Sequence, residues 1–150
     1  MIGSNPATTS GVRTVNRARK ATSLLGFDGF VISNLLDIPT YRTGNISEVA
    51  AEDTYWSSAR ANLTDNLSTA SGVLLAYGID KPAGSARKHF VNQVSWLSRE
   101  IKERQLPVWA VGGQPRHPSR WQRYTHRSHP GIDFEAALAL SLIRVDSQPK

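Results

Sequence analysis

Hydrophobic positions along the chain alternate between a helical spacing and short continuous runs. This alternation predicts helices that take turns with buried strands. The helical spacing predicts four helices, over residues 11–25, 49–69, 84–104 and 133–142. Gly26 should end the first helix, because glycine readily adopts the left-handed conformation that follows a helix. Asp133 is suited to cap the last helix.

Continuous apolar runs bounded by glycine or proline predict strands that are buried on both faces. These runs cover residues 27–34, 72–77 and 107–112. In the first run we expect Phe30, Val31 and Ile32 to be buried. Because the first helix also needs a strand before it, residues 1–4 are expected to form a very short strand, or one trimmed by the start site. The predicted fold is therefore α/β, a three-layer α/β/α sandwich with a mostly parallel four-stranded sheet.

Length and composition are those of one globular domain. The 150 residues predict a single α/β domain over residues 1–150, with residues 121–150 as a C-terminal extension that contains a short helix. The chain has no cysteine, which excludes disulfide scaffolds, cysteine-ligated metals and thiol catalysis. No apolar run approaches the roughly 18 residues of a membrane span, and the N-terminus lacks the regions of a signal peptide. We expect a cytoplasmic monomer without membrane contact.

Basic residues are concentrated towards the two ends of a chain whose net charge is +6 at pH 7. Residues 1–27 and 104–132 contain basic side chains and no acidic ones. This distribution indicates a phosphate-bearing partner, either DNA, single- or double-stranded, or a nucleotide, although a solvated basic surface is the alternative. The residues expected to contact nucleic acid are Arg13, Arg17, Lys20, Arg116, Ser119, Arg120, Trp121 and Arg123.

Ligands of open parallel sheets bind beyond the carboxyl ends of the strands. Four segments should lie at that edge, namely residues 3–8, 34–37, 77–79 and 112–119. The last is the richest in chemistry, because glycines permit close backbone approach and prolines stiffen the turn around Arg116 and His117. His126 and His129 have no nearby carboxylate that could complete a metal site with them, so neither a metal nor another cofactor is expected.

Four motifs in order resemble a bacterial and phage family known as domain of unknown function 1643. The motifs are NPATTSG, GFDGFVISNLLDIPT, GVLLAYG and GGQPRHPSRW. They cover roughly residues 3–121. This resemblance implies no particular activity.

The same four pieces resemble the skeleton of the uracil-DNA glycosylase superfamily, DNA-repair hydrolases with a parallel four-stranded sheet between helices. The resemblance implies that Asn5, in GSNP, holds the attacking water. It implies that Asn34, in FVISN, reads a base flipped out of DNA. It also implies that His117, in HPS, faces the departing base. Ser4 and Gly78 would then help to bind the base.

The chemistry explains these residue types. Cleavage of an N-glycosidic bond leaves negative charge on the departing base, and a neutral imidazole can donate a hydrogen bond to it. An asparagine amide offers a donor and an acceptor, so it can read a pyrimidine edge. Two features depart from the superfamily: residues 5–26 contain no aromatic side chain to stack on the base, and the first loop has no acid. Arg120 or Trp121 falls where those enzymes wedge the duplex.

Three functions remain open at this point. The chain resembles a protein that cleaves or binds a base in DNA. It could instead be a hydrolase or transferase of free nucleotides or nucleosides, or a non-catalytic phage or bacterial interaction module. Each candidate residue also has a structural interpretation: Asn5 as a helix cap, Asn34 and His117 as turn residues, and Trp121 as part of the core.

Overall fold

The computed structural model describes residues 1–7, 11–39 and 50–145. Residue 8 of the first predicted segment, residue 49 of the second predicted helix and residues 146–150 of the extension lie outside these ranges. The described residues form the strands β1 (Ile2–Gly3), β2 (Ser33–Asn34), β3 (Val73–Leu75), β4 (Val108–Val111) and β5 (Leu142–Arg144). Their helices are α1 (Val12–Leu24), α2 (Thr54–Thr69), α3 (Ser85–Glu103), α4 (Trp121–Ser128) and α5 (Phe134–Ser141).

The strands form one sheet in the order β2-β1-β3-β4-β5. The first four are parallel, which confirms the predicted mostly parallel sheet. The predicted number of four strands is wrong, because β5 adds a fifth that runs antiparallel to β4. The helix predicted over residues 133–142 ends at Ser141, and the chain continues directly into β5.

Helices cover both faces of the sheet, because successive side chains of a strand point to opposite sides. Val73 and Leu75 of β3 pack into a core with α2 and α3. Leu74 and the adjoining Ala76 pack into a second core with α1, α4 and α5. We call these two sides the α2/α3 face and the α1/α4/α5 face.

The longest predicted helices are confirmed. α1 ends at Leu24, and the expected Gly26 follows two residues later. Its φ of +81° lets the Phe27 N–H donate to the Thr22 carbonyl at 3.1 Å. Asp133 caps α5 by accepting a hydrogen bond from the Ala136 N–H at 2.9 Å. None of the helices in the described ranges is both long and apolar enough to cross a membrane.

The strand predicted over residues 27–34 is much shorter than expected. Only Ser33–Asn34 is a strand, Phe30 and Ile32 are half-buried, and Val31 is 56% exposed. The strand is short because its pairing partner, β1, offers only two residues for pairing. Before that pair, the contact between the segments is a hydrogen bond from the Met1 ammonium to the Val31 carbonyl at 2.8 Å.

The C-terminal extension is part of the core rather than an appendage. Trp121 and Leu138 are fully buried on the α1/α4/α5 face, where they pack with Ala21 and Val111. The helix that begins at Trp121 was not predicted, because few of its positions are apolar. The fold is thus completed by residues after the last predicted motif.

Candidate functional site

A cleft of about 1730 Å³ opens at the edge where the parallel strands end. Residues that follow each of the four strands line it: Asn5 after β1, Asn34 at the end of β2, Gly78 after β3 and His117 after β4. Ser4 lines it as well. The structure therefore brings the three polar residues singled out in the sequence, Asn5, Asn34 and His117, to one cleft.

His117 presents a defined hydrogen-bond donor. Its Nδ1 accepts the backbone N–H of Ser119 at 3.2 Å and lies 2.8 Å from the Ser119 Oγ. Because a backbone N–H can only donate, the hydrogen of the neutral imidazole is assigned to Nε2. Nε2 makes no hydrogen bond within the described residues. A ligand in the cleft can therefore accept from it.

His117 is neutral at pH 7. Burial, followed by the positive charges of Arg120 and Arg17, lowers the pKa of His117 below its ordinary value of 6.5. Removing the ring from water disfavours its charged form, and nearby cations disfavour it further. The site thus holds an imidazole that donates without carrying charge.

Arg17 and Lys20, two of the predicted nucleic-acid contacts, do not line the cleft. Arg17 donates from Nη1 to the Pro118 carbonyl and from Nη2 to Gln122 Oε1, the second at 3.2 Å. Lys20 pairs with Glu135 at 3.0 Å. These bonds join α1 to the turn after His117 and to α5, so both cations have structural partners.

Asn34 is held against a glycine. A Cβ built on Gly3 would lie 2.6 Å from Asn34 Oδ1, which is closer than side chains allow, so the amide occupies the space that another residue would fill. The end of β2 is fixed further by a hydrogen bond from Asn66 Nδ2 to the buried Ser33 Oγ at 2.7 Å. Asn34 therefore has a defined position at the cleft.

Asn5 connects the first loop to the segment after β2. Its Nδ2 donates to the Ile38 carbonyl at 3.2 Å, and the neighbouring Ser4 carbonyl accepts the Leu36 N–H at 3.0 Å. The amide nitrogen of Asn5 is therefore engaged with the segment after β2, which holds the first loop in place beside the cleft.

The rim of the cleft is strongly basic. Asp80 is the one acidic residue among the described residues that line it. The basic lining residues are Arg13, Lys81, Arg116, Arg120, Arg123 and Arg127. Arg127 and Lys81 were missed in the sequence, although the spacing of Arg120, Arg123 and Arg127 would have revealed a helical row.

Arg116 lines the cleft but is anchored to its own loop. Its Nη1 donates to the Val111 carbonyl at 2.8 Å and to the Gly112 carbonyl at 3.2 Å. Its guanidinium lies 4.0 Å from the ring centre of Tyr124. Gly112 has a φ of +63° and no room for a Cβ beside these two side chains. The arrangement makes Arg116 a fixed charge.

Trp121 does not lie where the wedge interpretation requires it. The side chain is fully buried, and its indole N–H donates to the Arg116 carbonyl at 2.8 Å. It belongs to the core of the α1/α4/α5 face. Ser119 and Arg120, which precede it, are exposed at the rim of the cleft.

Three aromatic side chains that line the cleft, Trp56, Tyr77 and Phe90, were not singled out for stacking in the sequence. Tyr77 lies edge-on to Phe90 with ring centres 6.0 Å apart, and Phe90 lies 6.2 Å from Trp56. Burial raises the pKa of Tyr77, so the phenol stays neutral. The buried Gln93 donates to the Leu35 and Trp56 carbonyls at 2.9 and 2.8 Å and fixes this side of the cleft.

No group of three or more metal-binding side chains occurs within the described residues. The cleft thus combines a neutral donor, two asparagine amides and aromatic rings with a positive rim. Such a set can bind a planar polar group next to negative charge.

Comparison with curated proteins and with solved structures found no match. A family model, described as "Protein of unknown function (DUF1643)", matches residues 1–119. The match covers β1 to β4 and ends within the turn that follows His117. With more than half of its length matched, the chain belongs to the DUF1643 family.

Proposed function

We propose that the cleft takes up a nucleobase from DNA and acts at its N-glycosidic bond, in the manner of the uracil-DNA glycosylases that the sequence resembles. The observation that carries this proposal is the neutral His117, with its Nε2–H donor, in one cleft with Asn34 and Asn5. The parallel order β2-β1-β3-β4 between two helix layers is compatible with a glycosylase-like fold, to which β5 is an addition.

The proposed reaction breaks the bond between C1′ of the sugar and the base nitrogen. The electron pair leaves with the base, and a water oxygen forms the new bond to C1′. The proton that this water loses passes through solvent to the departed base anion, so the products are the neutral base and a C1′ hydroxyl. His117 Nε2–H donates a hydrogen bond to the developing anion, which is worth most when the donor is pre-positioned. The Asn34 amide reads the edge of the base. Asn5 holds the attacking water.

The test is release of free base from DNA that carries uracil, hypoxanthine or a modified pyrimidine. His117→Ala should lower the rate about 10²–10³-fold, because one pre-positioned donor is lost. The matched control is His126→Ala, which removes an exposed histidine outside the cleft. Asn34→Asp should change which base is accepted, because a carboxylate only accepts hydrogen bonds.

Three outcomes would contradict the proposal. If the wild-type protein releases no base from the whole panel but binds DNA through Asn34 and His117, the site reads a base without cleaving it. If it acts on nucleosides or nucleotides and not on DNA, the free-nucleotide function replaces the one proposed. If neither substitution changes anything measurable, Asn34 and His117 are turn residues.

A further inference from the structure

The two walls of the cleft differ in charge. One wall is formed by the start of α1, the turn at Pro118–Arg120 and α4, which contact one another on the α1/α4/α5 face. It carries Arg13, Arg116, Arg120, Arg123 and Arg127. The other wall is formed by residues 77–82 and the start of α3 on the α2/α3 face. Its two charges, Asp80 and Lys81, cancel.

A row of three arginines runs from the turn at Pro118–Arg120 into α4. Arg120 directly precedes the helix, and Arg123 and Arg127 follow at spacings of three and four residues, so the three share one side. At about 1.5 Å per residue, the row is about 10 Å long. Along the axis of a duplex, one strand places a phosphate about every 3.4 Å, so the row is long enough to meet more than one phosphate of a strand. None of these three arginines forms an ion pair with a described residue.

The opposite wall is apolar and partly aromatic. Tyr77, Pro82 and Phe90 line it, and Ile79 is 48% exposed at its tip. Ile79 follows Gly78, whose φ of +97° turns the chain after β3. Aromatic and apolar surfaces of this kind bind the flat faces of unpaired bases.

A single strand fits this asymmetry better than a duplex does. A single strand offers one backbone and unpaired bases, which match one basic wall and one apolar wall. A duplex offers two backbones and hides the faces of its bases in the stack. The second backbone would meet the wall that contains Asp80 and no net charge.

We propose that the partner is single-stranded nucleic acid, with its phosphates along Arg120, Arg123 and Arg127 and its bases turned towards Tyr77 and Ile79. The inference rests on the proposed function, because it names the form in which DNA enters the same cleft. It also assigns a task to α4, which lies beyond the residues that the family model matches.

The test is fluorescence anisotropy with a labelled 12-nucleotide single-stranded DNA, compared with its duplex and with inorganic polyphosphate as competitor. The single strand should bind tighter than the duplex. Arg123→Gln and Arg127→Gln should each weaken binding several-fold and reduce the slope of log K against log salt by about 0.7, the change for one lost phosphate contact. The control is Arg99→Gln, which removes the same charge from an exposed position of α3 outside the cleft.

The apolar wall is tested by Ile79→Ser, an exposed position at which folding is not at risk. It should weaken binding of the single-stranded DNA several-fold, because apolar surface that covers the bases is lost, and leave competition by polyphosphate unchanged. The inference would be overturned if the duplex bound at least as tightly as the single strand, or if Arg99→Gln and Arg123→Gln weakened binding equally. It would also be overturned if polyphosphate competed as well as the unlabelled single strand does.

The two proposals fail separately. Single-strand binding with the expected arginine dependence, but without base release, leaves this inference standing and removes the glycosylase activity. Base release that is unaffected by Arg123→Gln and Arg127→Gln leaves the glycosylase activity standing and removes this inference.

Discussion

Arg17 offers the sharpest test of how the fold prepares His117. Its guanidinium donates to the carbonyl of the buried Pro118 and to Gln122 Oε1. Arg17→Met keeps an unbranched apolar stem but removes both donors and the charge. A hydrogen bond to a charged group contributes about 1.5–3 kcal/mol, and the bond to the exposed Gln122 is worth the least. We expect a loss of about 2 kcal/mol in the free energy of unfolding, or roughly 4–8 °C in Tm.

The same substitution should change the titration of His117. Arg17 is one of the two cations that lower the pKa of His117, and Arg120 is the other. In Arg17→Met the pKa of His117 should therefore rise towards 6.5 without reaching it, because burial is the largest cause and Arg120 remains. Arg13, Arg116, Arg123 and Tyr124 line the same cleft and are unchanged.

NMR titration of the four histidine Cε1–H signals measures this shift, with His117→Gln to assign the signal. The matched control is Arg19→Met, because Arg19 is exposed on the same helix and, among the described residues, bonds only to Asn16 one turn away. The reasoning is refuted if His117 titrates alike in Arg17→Met and Arg19→Met while their melting temperatures agree. A fall in the Tm of Arg17→Met without a change in the pKa of His117 would show that Arg17 only stabilises the fold.

Three further predictions follow from the packing. Gly3→Ala should lower the free energy of unfolding by about 1–3 kcal/mol and weaken ligand binding in anisotropy, because the added Cβ would displace the Asn34 amide. The control Gly29→Ala has open space around it and should change that free energy by less than about 0.5 kcal/mol. Equal effects of the two substitutions would contradict this prediction. Gln93→Leu should lower the free energy of unfolding in urea by about 2–4 kcal/mol, because two buried carbonyls lose their donor; a loss below 1 kcal/mol would argue against it. Because the pKa of His117 is lower in the folded than in the unfolded chain, the unfolded state binds the proton more readily and stability falls as pH drops below 6.5. The Tm of His117→Gln should therefore fall less than that of the wild type between pH 7 and about pH 5. Parallel plots of Tm against pH for the two proteins would refute the lowered pKa of His117.

The sequence predicted the parts of the fold that local patterns control. α1 and α3 are long enough for a clear apolar period. Gly26 marks the end of α1 by its backbone conformation, and Asp133 marks the start of α5 by capping. The rule that parallel strands end at one edge placed Asn5, Asn34 and His117 at a common cleft. These inferences needed no knowledge of which elements touch.

The parts that failed depend on contacts between distant residues. Arg17 has the sequence context of a solvated helix face, yet its partners lie 101 and 105 residues away. Trp121 follows a loop suited to a wedge, but α1 and α5 bury it. β5 is paired only through β4, so nothing in its own three residues distinguishes it from the end of a helix.

The direction of β5 has a practical consequence for any measurement on this protein. β1 to β4 all run towards the cleft, whereas β5 runs away from it: Leu142 pairs with Val111 and Arg144 with Trp109. The Val145 N–H then donates to the carbonyl of Val108, at the start of β4. Val145 therefore lies at the end of β4 that is farthest from the cleft. A dye, an affinity tag or a surface anchor that is joined after Val145 therefore starts at the sheet edge opposite the cleft. This makes the C-terminal side the better attachment site for immobilised binding assays.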